Sequence, residues 1–285
     1  MTVLGLSLVL LAACCHATWN YLVKRVGGGP ELIWLFSAVS VVLYLPLAVL
    51  VYATKETRFG ATEVAFIVGS ALLHLGYFLL LQQGYRRGDL SLVYPTARAT
   101  GPLLSSVLAV VILGEMVSFQ IVLGGIAIII GVLFLTGGLK RESRQVATSA
   151  LFGLGAGMLI GSYTVWDAHA VSVLLVPPLL LDYASSVGRS VLLAPVALRR
   201  KKLVAELWRE RRYHVVAIAV FNPLAYILVL YALEFTPVVY VAPLREVSVL
   251  ISVVIGHVLL GEPGFRHRMQ WALVILVGVS VLATG

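Results

Sequence analysis

Two arginines stand where an arginine is costly to keep. Arg98 and Arg245 lie inside long, predominantly apolar stretches, 90–113 and 237–260, and a guanidinium at the centre of a bilayer costs at least about 2.5 kcal/mol on insertion scales. Such a group should face the protein interior or a wet cavity, where it can hold a carboxylate or a phosphonate-like oxyanion. A purely structural use is the alternative. Asp167, Asp182 and Glu246 supply three acids against Arg98, Arg189 and Arg245, so buried ion pairs alone would balance the charge inside the spans. Arg245 and Glu246 are adjacent and point about 100° apart on a helix, so they cannot face one another. Asp182 and Arg189, seven residues apart, share a face but sit two turns from each other.

Further candidates surround this pair. Tyr94 lies four residues before Arg98, on the same helical face. Pro95 and Pro243 precede the two arginines; each removes a helical N–H and frees a carbonyl, either as a tolerated kink or as an opened helix beside a binding site. Trp19 with Asn20 and Trp166 with Asp167 are candidates to line a cavity, although an aromatic belt at the membrane interface explains the tryptophans as well. Glu246, Asp167 and His16 are candidates for proton coupling or ion pairing, while His74 and His257 are expected to be packing residues. Glu115 and Glu262 each follow Leu-Gly in a very short connection, where an acid complements the positive end of the helix that follows. No catalytic set and no metal-ligand spacing is present, and the only cysteines, Cys14 and Cys15, are adjacent in an apolar run. No cofactor is expected.

The elements that must position these residues are membrane helices. Of the 285 residues 60% are apolar and 12% charged, with a mean hydropathy of +0.99, whereas a soluble domain carries about 25% charged residues. The apolar residues come in spans of about twenty, enough to cross about 30 Å of hydrocarbon. They fall at 3–23, 31–53, 64–84, 90–113 and 118–138, then at 150–171, 174–198, 214–233, 237–260 and 269–284. The net charge of +8 sits in short loops between spans, which excludes a nucleic-acid groove and sets membrane orientation instead. Leu11-Ala12-Ala13-Cys14 resembles a lipoprotein cleavage box, but no Lys or Arg precedes it, so the segment reads as the first span. In the loop from Arg199 to Arg212, Leu203, Leu207 and Trp208 recur at helical spacing among basic residues, either as an interfacial helix or as a solvated topology signal.

The chain repeats itself. A constant offset of 147 superposes Trp19 on Trp166, Arg98 on Arg245, Ser105 on Ser252, Leu113-Gly114-Glu115 on Leu260-Gly261-Glu262 and Gly131 on Gly278. The expected fold is an all-α integral membrane protein with ten transmembrane helices in two five-helix repeats, 1–138 and 150–285, joined by a basic loop at 139–149. Five is odd, so the second repeat enters the membrane from the opposite side. Sixteen of the 21 Lys and Arg residues follow spans 1, 3, 5, 7 and 9, while only Lys55 and Arg58 lie on the other side. By the positive-inside rule the basic loops face the cytoplasm and both termini face out.

These residues resemble the drug/metabolite transporter superfamily, and within it the ten-helix EamA-type proteins. The likeness covers the whole chain and rests on His16-Ala17-Thr18-Trp19-Asn20, on the stretch from Gly88 to Arg98, on Ala242-Pro243-Leu244-Arg245-Glu246-Val247 and on the two Leu-Gly-Glu turns. The stretches around the arginines look most like a phosphonate-associated subgroup. The resemblance implies a secondary transporter in the inner membrane, working by alternating access and often exporting amino acids or related metabolites. Its expected partners are a small-molecule substrate and the lipid bilayer, as a monomer or homodimer. Relatives commonly keep both termini in the cytoplasm, opposite to the charge count here. Two rivals remain at this level: a non-transporting membrane module such as a lipid scramblase or assembly subunit, and an intramembrane enzyme using Asp167 and Asp182, for which no Gly-x-Gly-Asp segment exists.

Overall fold

The computed structural model describes residues 2–54, 59–113, 118–136, 144–235, 241 and 244–284. The Lys55 to Arg58 loop, the Gly114-Glu115 turn, Lys140 to Ser143 and Pro243 lie outside them. Among the described residues the structure is ten helices: α1 Val3–Val26, α2 Pro30–Thr54, α3 Ala61–Arg87, α4 Leu90–Leu113, α5 Phe119–Leu135, α6 Arg144–Ser172, α7 Pro178–Arg199, α8 Lys201–Phe235, α9 Val247–Leu260 and α10 Phe265–Leu282. Five stretches, in α1, α2, α3, α6 and α8, are each long and apolar enough to cross a membrane, and α5 and α9 are shorter apolar helices. The molecule is an all-α integral membrane protein. Its outer faces carry exposed Val42, Val49, Ile129 and Val277 as a soluble surface would not.

Local chemistry explains the boundaries. Thr2 caps α1 by accepting from the Gly5 N–H at 3.1 Å, and Gly27 ends it in the left-handed region, φ +69°. α7 starts at Pro178 rather than at 174, because Pro177-Pro178 cannot continue a helix and suits the first turn of a new one. The basic segment after α7 is helical from Lys201 and runs into the eighth span through a non-helical Arg211 (φ −125°, ψ 16°). Arg98 lies in an unbroken α4 despite Pro95. Arg245, by contrast, is separated from α9, which starts at Val247, by a turn at Glu246, so its helical stretch does not run unbroken into α9.

The heaviest helix packing crosses between the two halves and comes in matched pairs: α4 with α6 and α9 with α1, α3 with α6 and α8 with α1, α2 with α8 and α7 with α3. Three seams are their own mates, α2 with α7, α4 with α9 and α5 with α10. In the last, a Cβ added at Gly131 would lie 2.7 Å from Ile275 Cγ1, and one at Gly278 would lie 3.0 Å from Ile128 Cγ1. Gly131 and Gly278, like Ile128 and Ile275, are 147 residues apart. Each glycine of one repeat therefore receives the isoleucine of the other, the reciprocal contact of a twofold interface. On α6, Gly153, Gly157 and Gly161 let α4 approach closely; a Cβ at Gly153 would lie 2.8 Å from Thr96 Cβ.

Candidate functional site

A cavity lies among the helices of both halves. α1 contributes His16 and Trp19, α3 contributes His74, Tyr77 and Phe78, and α4 contributes Tyr94 and Arg98. From the second half come Tyr163 of α6, Asp182 and Arg189 of α7, and Asn222 and Tyr226 of α8. Six of these side chains are Trp, Phe or Tyr, and the other six are two arginines, two histidines, an aspartate and an asparagine, so aromatic walls carry a dense set of polar groups of the kind that fixes a small polar ligand. A smaller space adjoins it, with Asp182 lining both.

Arg98 is neutralised where it stands. Its Nη2 and Nε donate to Glu246 Oε1 and Oε2 at 2.8 and 3.2 Å, a two-point ion pair between α4 and the residue that precedes α9. Tyr94, one turn earlier on α4, donates its hydroxyl to Ser248 Oγ at 3.0 Å, and Ser248 Oγ donates to the Arg245 carbonyl at 2.8 Å. Arg245 itself is partly buried, and its Nε has no hydrogen-bond partner. Glu246 is the counterpart of Ala99 at the offset of 147, and among the described residues only Arg98 of the two has a carboxylate within ion-pair distance.

The third intramembrane arginine is held differently. Arg189 is 1% exposed; its Nε donates to Ser37 Oγ at 3.2 Å, its Nη2 to Ser186 Oγ at 2.8 Å, and its guanidinium lies 4.6 Å from the Phe78 ring centre. Its Nη1 has no partner, and no carboxylate among the described residues lies within ion-pair distance. Hydroxyls and a ring face orient this charge without cancelling it. Asp182, two turns away on the same helix, puts an acid into the same wall. Across from them His74 Nε2 meets Asp167 Oδ2 at 2.9 Å, Tyr226 donates to the same oxygen at 3.4 Å, and Asp167 Oδ1 is buried without a partner. His74 stacks on Tyr163 at 4.0 Å.

Of the residues singled out from the sequence, Arg98, Tyr94, Trp19 and His16 line the cavity, and Glu246 and Asp167 stand directly behind lining residues. Trp19 Nε1 lies 3.3 Å from His16 Nδ1. Asn20 is fully buried and faces away, accepting from the Tyr85 hydroxyl at 2.6 Å. Trp166 packs outside the cavity, stacked on Phe66 at 4.4 Å, with its Nε1 donating to the Phe66 carbonyl at 2.8 Å. Arg245 and α9 are not among the lining groups, while α7 is. His74, expected to be a packing residue, lines the cavity because Asp167 draws it there. Asn222, Tyr163, Tyr77 and Tyr226 carried no signal of their own, although Tyr163 is the repeat counterpart of His16. Glu262 does more than expected: besides its 3.2 Å contact with Arg268 of the helix that follows, its carboxylate caps the start of α4, accepting from the Leu90 and Ser91 N–H groups at 2.7 and 3.0 Å.

The profile of the EamA-like transporter family matches residues 3–137 and matches again over 147–284. The chain belongs to the EamA-like transporter family. Two EamA-like units thus cover almost the whole sequence, and the chain is a multi-pass membrane protein of a family of transporters rather than of enzymes. Fifteen solved chains match this EamA-like fold. Among them a crystal structure covers 98% of this chain and 98% of its own, at 13% identity with a TM-score of 0.57, a likeness of fold alone. A comparison with curated protein sequences returned no match.

Proposed function

We propose that this chain is a secondary transporter that carries a small organic anion or dipolar metabolite, such as an amino acid, carboxylate or phosphonate, by alternating access of the central cavity. The observation that carries the reading is Arg189, a cation in the cavity wall whose buried Nη1 has no hydrogen-bond partner and which has no carboxylate within ion-pair distance among the described residues. Arg98 already has Glu246, so an incoming oxyanion gains most at Arg189, while Asp182 in the same wall suits a cationic group on the same solute. The aromatic side chains around them, Tyr77, Phe78 and Tyr163, exclude water and strengthen each charge contact. The two halves rock about this cavity, with export as the direction that the family resemblance favours. The carrier sits in the inner membrane with its basic loops in the cytoplasm and both termini outside; a reporter active only in the cytoplasm, fused to Gly285, would give no signal.

Purified protein in liposomes preloaded with amino acids, organic acids or phosphonates tests the reading by counterflow. One class should exchange, and Arg189→Ala should cut its rate by about a hundredfold or more, as for a lost charged contact in a dry site. Exchange of the solute that survives Arg189→Ala unchanged would remove Arg189 from the site. The absence of exchange for every anion would remove the transport reading.

A further inference from the structure

The end of the molecule that carries the basic loops is tied shut by charges that the other end cannot reproduce. Glu262, in the turn between α9 and α10, accepts from the Leu90 and Ser91 N–H groups and from the Ser91 hydroxyl, so an acid of the second repeat caps a helix of the first. Arg268 of α10 completes the link: its Nη1 reaches Glu262 at 3.2 Å and the Ser91 hydroxyl, and its Nη2 reaches Asp89 at 2.6 Å. Beneath them Lys24 donates to the Tyr85 and Gly88 carbonyls at 2.6 Å each, holding α1 to the same turn. Glu262, Arg268 and Ser91 are all buried.

At an offset of 147, the opposite end keeps only the acid, Glu115. Arg268 is replaced by Ile121, Lys24 by Val171, Asp89 by Thr236 and Ser91 by Val238. Leu90, whose N–H meets Glu262, is replaced by Pro237, which has no N–H to give. Towards that end α1 and α8 meet through apolar Val9, Ala12, Val229 and Ala232, and the hydrogen bond described there between the repeats, Trp166 Nε1 to the Phe66 carbonyl at 2.8 Å, carries no formal charge.

We propose that the Glu262–Arg268–Asp89 network is the gate of the basic-loop end, a lock between the repeats that must break for the cavity to open there. The proposal rests on the alternating-access reading above. The test uses full-length protein with Cys14→Ser, Cys15→Ala and Asn222→Cys, which places one thiol in the cavity, in vesicles labelled by a membrane-impermeant maleimide. A parallel Lys202→Cys protein identifies the basic-loop side. Arg268→Gln should raise labelling of the cavity thiol from that side by about tenfold, the effect of losing charged hydrogen bonds, and leave labelling from the other side unchanged or slower. Asp89→Asn, which leaves the α4 cap in place, should give a smaller rise on the same side and decides the matter if Arg268→Gln does not fold. Unchanged labelling, or equal rises from both sides, overturns the gate. Labelling needs no solute, so failure of the transport reading in liposomes and failure of the gate are read separately.

Discussion

Arg98 and Arg245 hold one position in two copies of one unit, yet their surroundings differ in charge and in backbone. Arg98 sits in an unbroken helix and meets Glu246 in a two-point pair. Arg245 sits just before a helix start, with its Nε unpartnered. A single difference between the copies, Ala99 against Glu246, separates a cation with its own acid from one that has no ion pair among the described residues. Duplication therefore supplies a symmetric scaffold, and isolated substitutions make the site asymmetric. Arg189 carries the same lesson, since its counterpart in the first repeat is Val42.

The largest effect should come from Glu246→Leu. It leaves Arg98 charged and buried with no acid, a loss of about 3–5 kcal/mol in stability, read by denaturant unfolding in detergent micelles. A loss below about 1 kcal/mol would mean that Arg98 finds another partner and would break the contrast with Arg245. Next, adding Arg98→Met to Glu246→Leu should restore most of that loss and end within about 2 kcal/mol of the parent, because an apolar pair of similar volume replaces a buried ion pair at little cost. A double variant no more stable than the single one would show that Arg98 does more than answer Glu246.

Tyr94→Phe tests the link between the two arginines, since Tyr94 holds Ser248 and Ser248 holds the Arg245 carbonyl. One neutral hydrogen bond is lost, so the expected change is about 1 kcal/mol. The smallest effect should be that of Arg245→Met, within about 0.5 kcal/mol of the parent, because its Nε is buried without a partner and no ion pair holds it among the described residues. A loss as large as that of Glu246→Leu would place a strong partner on Arg245.

Much of the scaffold was legible beforehand. Ten apolar spans and the offset of 147 follow from local composition and spacing, because a bilayer requires each helix to satisfy its own backbone across the hydrocarbon. The site was only half legible. Arg98, Tyr94, Trp19 and His16 stood out by type and repeat position, whereas Asn222 and Tyr226 resemble any polar residue of a span. His74 looked like packing because nothing in its own segment points to Asp167, 93 residues away.

Sequence alone determined that this chain is a duplicated membrane bundle, that the second copy is inverted, and that three arginines and three acids must be reconciled inside it. Hydropathy, chain counting and charge are sums over local residues, so no tertiary knowledge is needed to read them. Only the tertiary structure decided which acid meets which arginine, that Arg189 rather than Arg245 lines the cavity, and that Glu262 caps α4. These depend on how helices from different repeats meet, and that is set by distances across the bundle.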